Sequence, residues 1–522
     1  MKKHRLSKGV IVVIVLIVLH LIPVWGFKYF PTQDGASHIY NAYVLKEYNN
    51  PNNTQLREVY ELNPTLFPNW TSHALLLILM YIFPPIVCEK IVLTLCITLL
   101  PLSLFYFLKG IKEGNIYFGL VGFIFAYNYL LHMGFYNFVL SMSLFFFTLG
   151  YWWRIKDEIN IINIVIIYIL LIISYLTHFH SFLLLILSMT FLSMYLSLYN
   201  IVINMSSTKS ESNTLLSHLK KSIVREKSYL YFIGILFPSY FMFLNHYLYL
   251  ADKHVNKGYK GFEWLLDYFV SMKSLVSFRD EHILIGQTLL LVFSIAFVFT
   301  IVGRIMFAMK NDKSEKDRPG WTRYFLETDG FIVLSTLITI MYFITPWSGL
   351  SGGWINDRFH LYIFLVLLPF FSIPLYKKVN QIIAVILILL SLCHLGLNFH
   401  TYTLLNRDIK EALSLEGIDN ENTILMSIPA EWGGVSDELG FEPKYVEPFG
   451  HIECHLIVNK GIAYLNNYEA NTDHFPLRYK NKGLPADYVI VWRTEYDDVE
   501  GLEEEYELID STKYNRLYRR IP

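Results

Sequence analysis

From residue 9 to residue 398 the chain is a series of apolar runs separated by short polar breaks. The runs cover 9–27, 86–108, 116–131, 138–153, 161–177, 181–204, 229–250, 283–308, 331–345, 359–376 and 380–398. A helix needs about 20 mainly apolar residues to cross a bilayer, and many of these runs come near that length. The pattern predicts an all-α polytopic membrane protein with about 11 transmembrane helices. The segment 71–84, which contains TSHALLLILMYIF, is shorter and stops at Pro84-Pro85. About 14 residues suit a helix lying in the interface better than a span. Past residue 400 the period changes. Short β-like runs (NTILMSI, HIECHLIVN, YVIVWR, YELIDS) alternate with turns, which predicts a small α/β domain over 401–522 behind a membrane domain over 1–400.

Charge gives the runs a sidedness. Basic loops at Lys2–Lys8, Lys109–Lys112, Arg154–Lys156, Lys209–Lys227, Arg304–Arg323 and Lys377-Lys378 fall on one face if 71–84 does not cross. By the positive-inside rule that face is cytoplasmic. The expected protein is therefore an integral plasma (inner) membrane protein with its N-terminus inside. The loops 28–85, 132–137, 178–180, 251–282 and 346–358 and the C-terminal domain then lie outside. Residues 401–522 hold 12 Lys and Arg against 23 Asp and Glu, so the outer domain is acidic and the membrane part basic. Composition agrees: 54% hydrophobic and 17% charged residues exclude a soluble globule, and nothing points to nucleic acid as a partner. The four cysteines, Cys88, Cys96, Cys393 and Cys454, form no CxxC and no disulfide framework.

The chemistry-bearing residues gather on the expected outer face. FPTQDGASHIYNAY, 30–43, places Asp34 at the start of a helix-compatible run, with His38 one turn on. Asp34 reads either as a helix cap or as a general base at the membrane surface; at i+4, His38 could hydrogen-bond to it or share a metal. HMGFYNF, 132–138, supplies His132 and Asn137, and THFHSF, 177–182, supplies His178 and His180. An HxH pair alone is short of the three or four ligands zinc wants. The loop SGGWINDRFH ends in Asp357-Arg358 at the mouth of a span. Arginine there offers a planar fork suited to phosphate, unless it snorkels or pairs with Asp357. Asp252, His254, Arg279, Asp280 and His282 add charge to the loop 251–282. In GHIECHL, a strand would put His451, Glu453 and His455 on one face, a second conceivable metal site.

This assembly resembles the GT-C glycosyltransferases, a superfamily that includes protein O-mannosyltransferases and aminoarabinose transferases. The resemblance rests on Asp34 after the first span, the short helix in NPTLFPNWTSHALLLILMYIFPP, the charged pair Glu89-Lys90 opening the next span, and DRFHLYIFLVLLPF opening a late one. It implies an integral-membrane glycosyltransferase moving a sugar from a polyprenyl-phosphate donor to a glycan, lipid or protein acceptor by inverting, direct displacement. Asp34 would be the general base and Arg358 the cation for the departing phosphate. Substrate or phosphate contacts would come from His38, His132, Asn137, His178, His180 and Asp357. Metal-dependent members carry an acid in the loop that is LHMGFYNF here, and this loop has none. A metal-independent reaction is therefore expected, with a divalent metal, or a histidine standing in for the acid, as the alternative. The competing readings are a transporter or flippase, or a non-catalytic membrane scaffold with a binding domain. Against transport, no acid or base lies mid-span and no paired broken spans recur.

Overall fold

The computed structural model describes residues 7–65, 67–111, 115–207, 229, 231–251, 257–310, 325–349, 352–371, 377–418, 422–428, 445–472, 474–492, 501–513 and 515–522. Asp252, His254, the Lys209–Lys227 loop and most of Arg304–Arg323 lie outside these residues.

The chain is a multi-pass, mostly helical protein with a small sheet near its C-terminus. Six helices among the described residues are long and apolar enough to cross a membrane: Lys8–Gly26, Pro85–Lys109, Tyr136–Ile155, Phe179–Ile203, Glu281–Met306 and Lys378–Ala412. Shorter apolar helices cover Thr71–Met80, Ile116–His132, Ile161–Thr177 and Asp329–Ile344. The first long helix, α1 (Lys8–Gly26), buries only Leu16, His20, Pro23 and Val24. Its Val10, Ile11, Ile14, Val15 and Val18 point outward. In water that surface would drive aggregation, whereas in hydrocarbon it matches the solvent.

Between the first two long helices the segment 28–84 folds into α2 (Gly35–Glu47), α3 (Thr54–Val59), strand β1 (Tyr60–Leu62) and α4 (Thr71–Met80). At 10 residues α4 is the short helix expected of 71–84. Pro84, fixed in extended backbone, then ends the turn, and Pro85 sits at the first position of α5 (Pro85–Lys109), where a missing N–H costs nothing.

The expected span 116–131 is broken. A 3-10 turn, Ile116–Leu120, leads into α6 (Val121–Phe125), and a separate α7 (Tyr129–His132) follows. Asparagine side chains cause the interruption. Asn115 accepts from the Tyr117 amide and Asn128 from the Leu131 amide, each starting a new helix. Gly122 adds a close approach, since a Cβ there would lie 2.5 Å from Pro101 Cα of α5. Beyond it come α8 (Tyr136–Ile155), α9 (Ile161–Thr177) and α10 (Phe179–Ser207); the last two meet at His178, the single extended residue between them.

The remaining helices are Phe237–Ala251, Phe262–Val270, Glu281–Lys310, Asp329–Ile344, Ile355–Leu367 and Lys377–Ala412. The run 359–376 is helical only to Leu367 and then tightens into a 3-10 turn, Leu368–Phe371. The last helix runs straight through residue 400, so the sheet region begins after Ala412 rather than at 401.

Strands β2 (Ile424–Ile428), β3 (Ala463–Tyr464), β5 (Tyr488–Trp492), β6 (Tyr506–Ser511) and β7 (Asn515–Arg520) form one sheet in the order β3-β2-β5-β7-β6. Its β3-β2-β5 half is parallel and its β5-β7-β6 half antiparallel. This region is not independent of the segment between α1 and α5. Strand β4 (Leu477–Tyr479) pairs antiparallel with β1, matching Tyr60 to Tyr479 and Leu62 to Leu477. Tyr40 Oη donates to Ile462 O at 2.9 Å, and Tyr43 Oη accepts from the Gly461 amide at 3.0 Å. Asn41 and Asn467 exchange amide hydrogen bonds of 3.3 and 2.7 Å. The expected strand face of His451, Glu453 and His455 does not exist, because 450–453 is a run of turns and Cys454–Ile457 a short helix.

Candidate active site

Asp34 occupies the N-cap position of α2, yet its carboxylate makes no capping hydrogen bond. Its backbone is helical there, φ −101° and ψ −7°, whereas a capping side chain needs extended backbone to reach the free amides. The carboxylate points instead at the C-terminal region. Tyr468 Oη donates to Asp34 Oδ2 at 3.1 Å, and His451 Nε2 lies 3.9 Å from Oδ1. The group is buried, at 5% exposure. Burial pushes it up to about 6, partly opposed by the His38 charge and the Tyr468 hydrogen bond. A carboxyl near neutrality is suited to taking and giving a proton.

The site's position follows from how the loop 132–138 is held. The Gln33 amide donates to His132 O at 2.9 Å and the Asp34 amide to Met133 O at 3.2 Å. Gly134 turns the chain at φ +85°, and a Cβ there would meet the Gly35 amide nitrogen at 2.9 Å and Asp34 Cβ at 3.0 Å. Gly35 is equally confined, since a Cβ would collide with Thr32, Tyr136 and Glu89. Glu89 takes the Tyr136 hydroxyl at 2.6 Å, while Lys90 Nζ turns away to Phe27 O at 2.6 Å.

The same loop carries Arg358. Its guanidinium lies 5.5 Å from the Phe135 ring centre and 5.8 Å from that of Phe138. Nη1 donates to Gly353 O at 2.8 Å, and the buried Nε has no partner. Among the described residues Arg358 forms no ion pair with a carboxylate. Asp357, the neighbour expected to pair with it, takes a hydrogen bond from Trp347 Nε1 at 3.2 Å and acts on the guanidinium through its charge rather than through a close ion pair. Between the two halves stands Tyr129, whose hydroxyl accepts from Trp354 Nε1 at 2.9 Å and which interacts electrostatically with both Asp34 and Asp357. The α7–α8 junction, 132–138, thus touches the candidate base through the Met133 carbonyl and the candidate cation through Phe135 and Phe138.

Several expected ligand contacts are otherwise engaged. His38 does not bond to the Asp34 carboxylate. Its Nδ1 lies 2.6 Å from Glu469 Oε1 and its Nε2 2.9 Å from Gly134 O, so neither nitrogen is free for phosphate. His132 pairs with Ser277 Oγ at 2.7 Å and with the Tyr402 hydroxyl, stacked on Phe30. It is a satisfied core histidine. Asn137 accepts from the Ser72 amide at 2.7 Å and donates to Asn69 O at 2.8 Å, which fixes the start of α4. His178 and His180 stay near the cation: both interact electrostatically with Arg358, and His178 packs edge-on against Phe138 with ring centres 5.2 Å apart.

The C-terminal region supplies groups that sequence spacing did not join to Asp34: Tyr468, Glu469, His451 and Glu447. The Glu447 amide donates to Gln33 Oε1 at 3.2 Å, and burial plus the Asp34 charge push its carboxyl up to about 7. From α4, His73 Nε2 lies 2.8 Å from Glu469 Oε2. Burial would raise Glu469, but the two histidines outweigh it and hold the carboxylate well below its usual range. Two histidines, His38 and His73, in the loop 28–85 and an acidic balance in 401–522 were the signals in the sequence that could have suggested this contact.

No family model and no curated protein matches the chain. Among solved structures it is similar to ArnT from Cupriavidus metallidurans bound to undecaprenyl phosphate, at 9% identity and a TM-score of 0.44 over 99% of each chain. Identity that low and a superposition that loose leave function to the geometry of this chain's own side chains.

Proposed function

We propose that this protein is an integral-membrane glycosyltransferase of the GT-C type, acting on a sugar carried by polyprenyl phosphate. The observation that carries the reading is the release of Asp34 from helix capping into a buried site joined, through residues 132–138, to a buried arginine that forms no ion pair with a carboxylate among the described residues. The lipid tail of such a donor stays in the bilayer, so base, sugar and cation must meet beside the membrane-spanning helices. Asp34 takes the proton of the acceptor hydroxyl as its oxygen bonds to the anomeric carbon. The bond from that carbon to the phosphate oxygen breaks with inversion, and the phosphate leaves with the electron pair. Charge grows on that phosphate in the transition state, where a fixed guanidinium acts best. The site faces outward and the N-terminus inward, in keeping with the basic loops on the opposite face. The acceptor is a glycan, a lipid or a protein.

The test is incubation of the purified, full-length protein with labelled polyprenyl-phosphate sugars and candidate acceptors. Label should move to the acceptor with wild type and not with Asp34→Asn. Equal transfer by both proteins, or none by wild type with any donor, removes the proposal.

A further inference from the structure

Glu469 sits between two histidines drawn from different helices, His38 of α2 and His73 of α4, and all three are buried. One ligand-type atom from each lies within 4.8 Å of the others. The far side of each ring decides what the near side can do. His38 Nε2 faces Gly134 O at 2.9 Å, and His73 Nδ1 faces Asn69 O at 3.4 Å. A carbonyl only accepts, so in each ring that nitrogen carries the proton. A neutral imidazole then presents its bare lone pair, not an N–H, to the Glu469 oxygens at 2.6 and 2.8 Å. Lone pairs facing lone pairs at that distance need a positive centre between them. Either both rings take a second proton, leaving two buried cations around one carboxylate, or a metal ion accepts all three lone pairs. The first option buries two cations beside Glu469, with Asp34 as a further counter-charge, and each of these charges carries its own desolvation cost. The second matches how proteins hold zinc: two imidazoles and a carboxylate, with each outer N–H fixed by a carbonyl.

We propose that His38, His73 and Glu469 bind a divalent transition metal of the zinc class, with the fourth position open to water. Metal–ligand distances of about 2.0–2.2 Å require each imidazole to draw back from the Glu469 oxygens by roughly half an ångström or slightly more, within the reach of side-chain rotations. The ion ties α2 and α4 to the C-terminal region and thereby holds Tyr468, the residue before Glu469, against Asp34. Metal-dependent members of the superfamily that the chain resembles carry an acid in the loop that is 132–138 here, and this site draws no ligand from that loop.

The experiment uses the full-length protein in detergent, stripped with a chelator and reloaded with cobalt(II). Wild type should bind about one equivalent and show the visible absorption of a tetrahedral ion. Glu469→Gln should lose both. Should that variant fail to fold, His73→Cys keeps a ligand and should add a thiolate-to-cobalt band. Asp34→Asn should bind cobalt like wild type, so the metal site stands or falls separately from the transfer reaction. Absence of metal and spectrum in folded wild type overturns the proposal, as does equal binding by folded Glu469→Gln or a His73→Cys spectrum without the thiolate band.

Discussion

Tyr468 donates its hydroxyl to Asp34 Oδ2 at 3.1 Å, across 434 residues of sequence. With His451 3.9 Å from Oδ1, that contact makes the candidate base a joint product of the segment between α1 and α5 and the C-terminal region. It also sets the direction of several expected outcomes.

Replacing Asp34 by Asn keeps the shape of the side chain and the Tyr468 contact but removes the proton acceptor. Transfer should fall by about 10²–10⁴, the usual worth of a positioned base, with expression and melting temperature retained. Near-normal turnover would reduce Asp34 to a structural residue.

The rate should depend on pH through Asp34. The groups that face it are Tyr468, His451, His38, Glu469, Gln33 and Glu447. Its carboxyl titrates near about 6, and only the ionised form is a base, so kcat/KM should drop as pH falls through that value. Tyr468→Phe removes a donor that favours the ionised form and should move this limb to higher pH. Stability runs the other way: because the folded value is raised, the folded state binds more protons than the unfolded one. The carboxyl's stabilising contribution is therefore full below its ordinary value of 3.8 and lost as pH rises through about 6. A pH–rate profile and melting curves at several pH values check both signs.

Arg358→Lys preserves charge but not the planar fork, and a flexible ammonium replaces the guanidinium near the Phe135 and Phe138 rings. The expected loss in kcat is about 10²–10³, with Arg358→Ala worse, because the interaction strengthens as the phosphate departs. Steady-state kinetics showing only a raised KM would place Arg358 in donor binding alone.

Gly134→Ala meets two costs at once. The φ of +85° disfavours any side chain, and the new methyl would press on Gly35 N at 2.9 Å. Destabilisation of about 1 kcal/mol or more is expected from the backbone conformation alone. Transfer should fall further than the stability loss explains, since relief of the clash displaces Asp34. Thermal melts alongside kinetics separate the two effects.

Asn41 and Asn467 form a closed, buried pair between α2 and the C-terminal region. Asn467→Ala leaves the Asn41 amide without that partner, at a cost of about 1–3 kcal/mol. Limited proteolysis should then release the C-terminal region at lower temperature than in wild type.

The features legible in the sequence are those set by local rules. Apolar length and Pro84-Pro85 fixed the short α4 and the start of α5, and charge on the breaks marked which loops to compare. Asp34 stood out because it opens a helix just after the first span. Other features depend on contacts that no local pattern encodes. Asn128 broke the run 116–131 by capping a new turn inside it. The segment around His451 reads as a strand because its apolar residues alternate, but successive i to i+3 backbone hydrogen bonds from Gly450 to His455 wind it into turns. His38 was expected beside Asp34 on spacing alone, and Glu469, far along the chain, captured it.

Pairing of β1 with β4 has a consequence for how activity arises during synthesis. The ribosome releases the first outer loop, with Asp34 and His38, long before Tyr468, Glu469 and β4 exist. Until they arrive, β1 has an unpaired edge and the base lacks its hydroxyl partner. The nascent protein is thus chemically silent through most of its insertion. A premature stop anywhere before Tyr468 would yield helices in the membrane that hold the donor's surroundings but not the finished site.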